Sequence, residues 1–141
     1  MDVPRRVLAA LLTLTLSLTA GCSGSGGRPT GPVAFLVASR QFGFVQEMTL
    51  GFAHGVDEVG GVAHTESGPG VADNTAELRQ FAEVVETSPA GLSLFTLSPE
   101  LFADSLGSTV ARGTPVIAVH SPPLPGSGVR LFVGNDNYRL G

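Results

Sequence analysis

A chain of 141 residues holds material for one domain of ordinary size. Eight basic residues, all Arg, stand against twelve Asp or Glu, a formal net charge of −4. Phosphate-dominated binding needs several clustered cations, and this chain has no Lys and no basic cluster, so nucleic acid is excluded as a partner.

Residues 1–21 read as a secretory signal. Arg5 and Arg6 form a basic start, and Val7–Leu18 is an apolar run too short for a membrane-spanning helix, which takes about 20 residues. Cys22 is the only cysteine, so no intramolecular disulfide can form. Leu18-Thr19-Ala20-Gly21-Cys22 resembles the lipobox of bacterial lipoproteins, with Thr19 where Leu is commoner. That resemblance implies cleavage before Cys22, lipid on its thiol, and a protein held at the outer face of the cytoplasmic membrane. Residues 22–32, rich in Gly, Ser and Pro, cannot bury a core and read as a flexible tether. The 120 residues left after cleavage carry six Arg and eleven acidic residues.

The folded domain is expected over residues 33–141. Val33–Ala38 is apolar without alternation, as in a strand buried on both faces. After the loop Ser39–Gly43 the period changes to that of a helix, with Val45, Met48, Phe52, Val56 and Val59 on one stripe and Gly60-Gly61 closing it. Val62–Glu66 alternates like an edge strand. Asn74 and Glu77 have the spacing of a capping box, which predicts Asn74 as N-cap of a second helix burying Leu78, Phe81, Val84 and Val85. Gly91–Leu97 is the third strand, and Ser98-Pro99-Glu100 predicts the start of a third helix with Ser98 as N-cap. Phe102, Leu106 and Val110 form its inner face, and Gly113 ends it. Thr114–His120 and Val129–Val133 are the fourth and fifth strands.

Strands alternating with helices at this spacing predict a three-layer α/β fold, a parallel sheet flanked by helices, in the order 2-1-3-4-5. Ligands of such sheets sit on loops at the carboxyl ends of the strands. No metal-ligand spacing joins His54, His64 and His120. No Ser lies in a nucleophile elbow, no phosphate-binding lysine exists, and the Gly-rich run at 24–27 precedes the first strand instead of following it. No cofactor is implied.

Four pieces, in order, resemble the N-terminal lobe of type I periplasmic sugar-binding proteins, the ribose-binding-like receptors of ABC transporters. They are PVAFLVASRQFGFV from Pro32, ELRQFAEVV from Glu77, the third unit from Ser88 to Ser121, and the closing VGNDNYRLG from Val133. The resemblance implies a carbohydrate-binding component of an ABC importer, not an enzyme, with a small-molecule ligand, a permease partner and a membrane anchor through the N-terminal lipid. It also implies a second lobe that residues 33–141 do not include, so a weak affinity is expected of this lobe alone.

A sugar offers apolar ring faces and an equator of hydroxyls, so its site needs an aromatic platform with fixed polar groups around it. Phe44 occupies the family's aromatic position, with Val45 where relatives often have a second Phe; a ligand platform and helix-to-sheet packing both fit it. Ser39, Arg40 and Gln41 share that loop and are candidates for hydroxyl contacts, Arg40 being equally suited to a solvated role. His120 stands where many relatives carry Asp; a neutral imidazole accepts one hydrogen bond and donates one, whereas a carboxylate accepts several. Asn135 and Asp136 fall at the family's hinge, as ligand contacts or as turn formers. Two rival classes follow from the same residues. A sensory or interaction lipoprotein would bind a protein partner, and a small α/β hydrolase or transferase would need a Ser–His pair in hydrogen-bond reach with a third group orienting it. A hollow joining Phe44, His120 and Asn135 would favour ligand binding.

Overall fold

The computed structural model describes residues 31–60, 62–135 and 139. Cys22, the signal and most of the tether lie outside the described residues, as does Asp136. The chain runs β1 (Val33–Val37), α1 (Gly43–Val59), β2 (His64–Ser67), α2 (Asn74–Glu86), β3 (Gly91–Phe95), a 3-10 turn (Pro99–Phe102), α3 (Ala103–Ala111), β4 (Val116–Val119) and β5 (Leu131–Val133). All five strands are parallel, in the order β2-β1-β3-β4-β5. This is the architecture that the alternating periods predict. Val33 stands opposite both His64 and Gly91, Leu92 opposite Val116, and Ile117 opposite Leu131.

The unalternating β1 is apolar because both of its faces are covered. Ala34 and Leu36 join Leu92, Leu94 and Val116 under α2 and α3, where Phe81, Val84, Phe102 and Leu106 complete one core. Phe35 and Val37 point the other way with Phe95, against Val45, Met48 and Phe52 of α1. Gly60 and Gly113, each at positive φ, end α1 and α3 as expected.

Both predicted helix starts are corrected. α2 is capped by Asp73, whose Oδ1 accepts from the Ala76 N–H at 3.0 Å, and Asn74 is already helical. Glu77 therefore does not reach back as a capping-box partner but turns inward and is buried. Ser98 makes no side-chain cap, and Pro99–Phe102 form a 3-10 turn before α3 begins at Ala103. β4 begins later than the apolar run suggests, since Pro115 has no N–H to give; its carbonyl accepts from Leu92 N–H at 3.0 Å instead. β5 keeps only Leu131–Val133 and is exposed along its length.

Candidate functional site

A parallel sheet brings all its carboxyl ends to one edge, so the loops after β1, β2, β3, β4 and β5 meet there. The loop after β1 is tied to the loop after β2 by its backbone and by one buried side chain. Arg40 N–H donates to the Pro69 carbonyl at 2.9 Å, and the Ser39 hydroxyl donates to the Gly70 carbonyl at 3.3 Å. Gly68 lets the two loops close, because a Cβ there would lie 2.6 Å from the Val37 carbonyl oxygen. Ser39 also accepts from the Gln41 N–H at 3.3 Å and is wholly buried, so its hydroxyl shapes the loop and is not offered to a ligand. Arg40 and Gln41 are exposed on the same loop, with the Arg40 carbonyl accepting from Gln46 Nε2 at 3.4 Å.

Phe44, in the first turn of α1, remains 45% exposed and is the centre of a ring cluster. It stacks with Phe42 at 5.6 Å and 9°, and with His120 at 5.3 Å and 27°. Beneath them Phe95, the last residue of β3, meets Phe44 edge-on at 5.6 Å and His120 at 5.0 Å. Phe95 is fully buried, so it supports the rings that reach solvent. His120 gets there by an uncommon backbone, φ +66°. Its N–H donates to the Val133 carbonyl at 2.8 Å, extending the β4–β5 ladder while the chain turns. Non-Gly residues held this way cost of order 1 kcal/mol and cluster at functional sites. Asn135 joins His120 in an open hollow of about 280 Å³, with Met48, Val119 and Val133 on its walls.

The tertiary structure thus brings Phe44 and His120 into contact, and Asn135 to His120. Sequence reasoning missed Phe95, which reads as one more apolar residue of a buried strand. The strand read from the sequence runs on to Leu97, whereas β3 ends at Phe95, which puts that ring at the edge where ligands sit. It also missed Glu77, which lies behind this edge in the first turn of α2. Burial pushes the Glu77 carboxyl above its ordinary value, and a hydrogen bond with Thr96 offsets part of that. Its Oε1 has no hydrogen-bond partner among the described residues. Thr96 Oγ1 in turn accepts from the Ser98 N–H at 3.1 Å, linking the carboxyl to the loop after β3. Among the described residues no three His, Cys, Asp or Glu side chains gather as a metal site.

A five-stranded parallel sheet in this order, flanked by helices, is the fold of one lobe of the type I periplasmic binding proteins. No family model and no curated protein matches the sequence. Solved structures do. The chain is similar to a periplasmic ribose ABC transporter protein from Conexibacter woesei, with 22% identity and a TM-score of 0.71 over 82% of this chain and 38% of that one. It is similar to GanP, a glucose-galactose binding protein from Geobacillus stearothermophilus, with 19% identity and a TM-score of 0.70 over 78% and 39%. A third is XylFII, with 18% identity and a TM-score of 0.70 over 77% and 39%. The chain spans about two fifths of the length of these structures, 38–39%. The likeness is one of fold.

Proposed function

We propose that this chain supplies a carbohydrate-recognising lobe of an exported solute-binding protein that serves an ABC importer. One observation carries the reading: Phe44 and His120, 76 positions apart, are stacked over Phe95 at the carboxyl edge, with Asn135 in the hollow beside His120. Rings give an apolar platform for a pyranose or furanose face, and imidazole and amide groups beside it suit the hydroxyl rim. Arg40, Gln41 and Asp136 would extend that rim, and Ser39 would hold its loop. The fold likeness to a glucose-galactose binding protein and to a ribose transporter protein supports the ligand class. In this reading residues 1–21 direct export, Cys22 carries the lipid at the outer face of the cytoplasmic membrane, residues 22–32 are the tether, and a permease is the partner. The chemistry is binding, without catalysis.

A single lobe forms one wall of a site, so the expected dissociation constant is about 1 mM or weaker. The test is a titration of the full chain in detergent with ribose, glucose and galactose, observed by NMR. The Phe44 and His120 ring signals should shift saturably with at least one sugar, and Phe44→Ala should abolish the response while the fold is kept. Shifts confined to other regions, or none at all, would reject the reading.

A second reading rests on one finding. XylFII is also solved as a XylFII-LytSN complex, and that structure is similar to this chain with a TM-score of 0.69 and 18% identity. A sensory lipoprotein lobe that meets a protein partner is therefore the alternative.

A further inference from the structure

The first turns of α1 separate two hollows at the carboxyl edge of the sheet. On one flank Phe44 stacks on His120, and Met48, four residues on, shares the hollow of that imidazole. On the other flank Val45 and Thr49, also four apart, turn with Gln46 toward β2. There, with Arg40, Glu66 and Ser67, they enclose about 220 Å³ over a floor of Val37 and Val45. Both valines are 1% exposed. Every wall of this second hollow comes from β1, α1, β2 and the loop between β1 and α1, and β2 is the outer strand in this sheet order.

Arg40 is fixed at its backbone and free at its head. Its N–H donates to the Pro69 carbonyl at 2.9 Å, and its carbonyl accepts from Gln46 Nε2 at 3.4 Å. Glu66 stands opposite Phe35 in the β1–β2 register, so its side chain lies on the sheet face that α1 covers. The guanidinium and the carboxylate line one hollow, yet neither makes an ion pair among the described residues. The Thr49 hydroxyl donates to the Val45 and Gln46 carbonyls and keeps its lone pairs for an acceptor role.

These charges select the occupant. An ion of a single sign that meets one of them also meets the repulsion of the other. A neutral sugar leaves both unanswered. A small zwitterion answers both, since a carboxylate matches the forked donors of Arg and an ammonium donates to Glu66. The valine floor suits a short aliphatic group between them.

We propose that this hollow is a second small-molecule site, which takes a free α-amino acid with a short aliphatic side chain. Its carboxylate lies on Arg40, its ammonium on Glu66 and its side chain over Val37 and Val45. Both charged residues are exposed, so the binding is weak, with a dissociation constant of about 1–10 mM. The site is independent of sugar binding at the ring cluster, and its failure would leave that reading standing.

The test titrates the full chain in detergent with L-alanine, propionate and ethylamine, the last two lacking the ammonium and the carboxylate in turn, observed by NMR. The Thr49 and Ser67 amide signals should shift saturably with alanine, at a concentration at least about tenfold below that for either partial ligand. Glu66→Gln should bring alanine to the level of propionate, while the circular dichroism spectrum, the melting temperature and the response of the Phe44 and His120 rings to sugar are kept. Arg40→Gln should bring alanine to the level of ethylamine. No saturable shift up to about 100 mM, equal response to alanine and propionate, or indifference to Glu66→Gln would overturn the proposal. So would a double variant that melts no lower than two equally destabilised single variants, since Arg40 and Glu66 would then pair with each other across the hollow.

Discussion

Glu77 shows how one buried atom group can make a whole domain sensitive to pH. Its residue is 1% exposed, its carboxyl is raised above 4.5 by burial, and only Thr96 answers it. In the unfolded chain the same group ionises near its ordinary value. Below that value both states are protonated and Glu77 costs nothing. As pH rises through it, the unfolded state loses its proton first, so stability falls until the folded-state value is passed and then levels. Glu77→Gln keeps the shape and removes the titration. Urea unfolding from about pH 4 to 8 should show the variant gaining on the wild type as pH rises above the ordinary carboxylate range. A constant difference across that range would show that Glu77 does not titrate in a buried site. His120 is a residue of another kind, whose left-handed backbone aims an imidazole at Phe44 and gives the edge its chemistry.

Among the elements, α2 tests whether the cap or the neighbouring polar residue starts the helix. Asp73 accepts from Ala76 N–H, whereas Asn74 only accepts from the Ser98 hydroxyl at 3.4 Å on the surface. Asp73→Ala should lower stability by about 1 kcal/mol, within a usual range of about 0.5–2, and Asn74→Ala by clearly less. Denaturant midpoints at constant slope would check this, and the reverse ranking would restore the capping box read from Asn74 and Glu77. That box was a fair inference from spacing. It fails because Glu77 has an interior alternative beside Thr96, and burial of its stem competes with the surface contact to the N-cap. The 3-10 turn before α3 has a similar origin. Phe102 is wholly buried against Phe81 at 5.4 Å, and the chain tightens to place it there.

For the whole molecule, the core under α2 and α3 should dominate stability. Phe102→Ala removes a fully buried ring and should cost about 3–5 kcal/mol, a large share of the about 5–15 kcal/mol available to a domain. Leu50→Ala, at a position 66% exposed on α1, should stay within about 0.5 kcal/mol. Thermal unfolding of the two variants measures the contrast, and equal losses would mean that the core is misplaced. The α1 side of the sheet is the weaker half, since its helix stripe ends in an exposed Val59 and its edge strand in an exposed Val133.

The order of strands and helices, the parallel sheet and the edge at which its loops gather were determined by the sequence itself. They follow from local signals: an unalternated β1, the 3.6-residue stripe from Val45 to Phe52, and breakers such as Gly60 and Gly113, each acting within a few residues. Which residues share that edge was decided only in three dimensions. Phe44 was legible as a candidate from its loop, but its stack on His120 depends on β1, β3 and β4 lying side by side in one register. Ser39 looked as available as Arg40, and only the packing of the β2 loop against it shows that its hydroxyl is already satisfied.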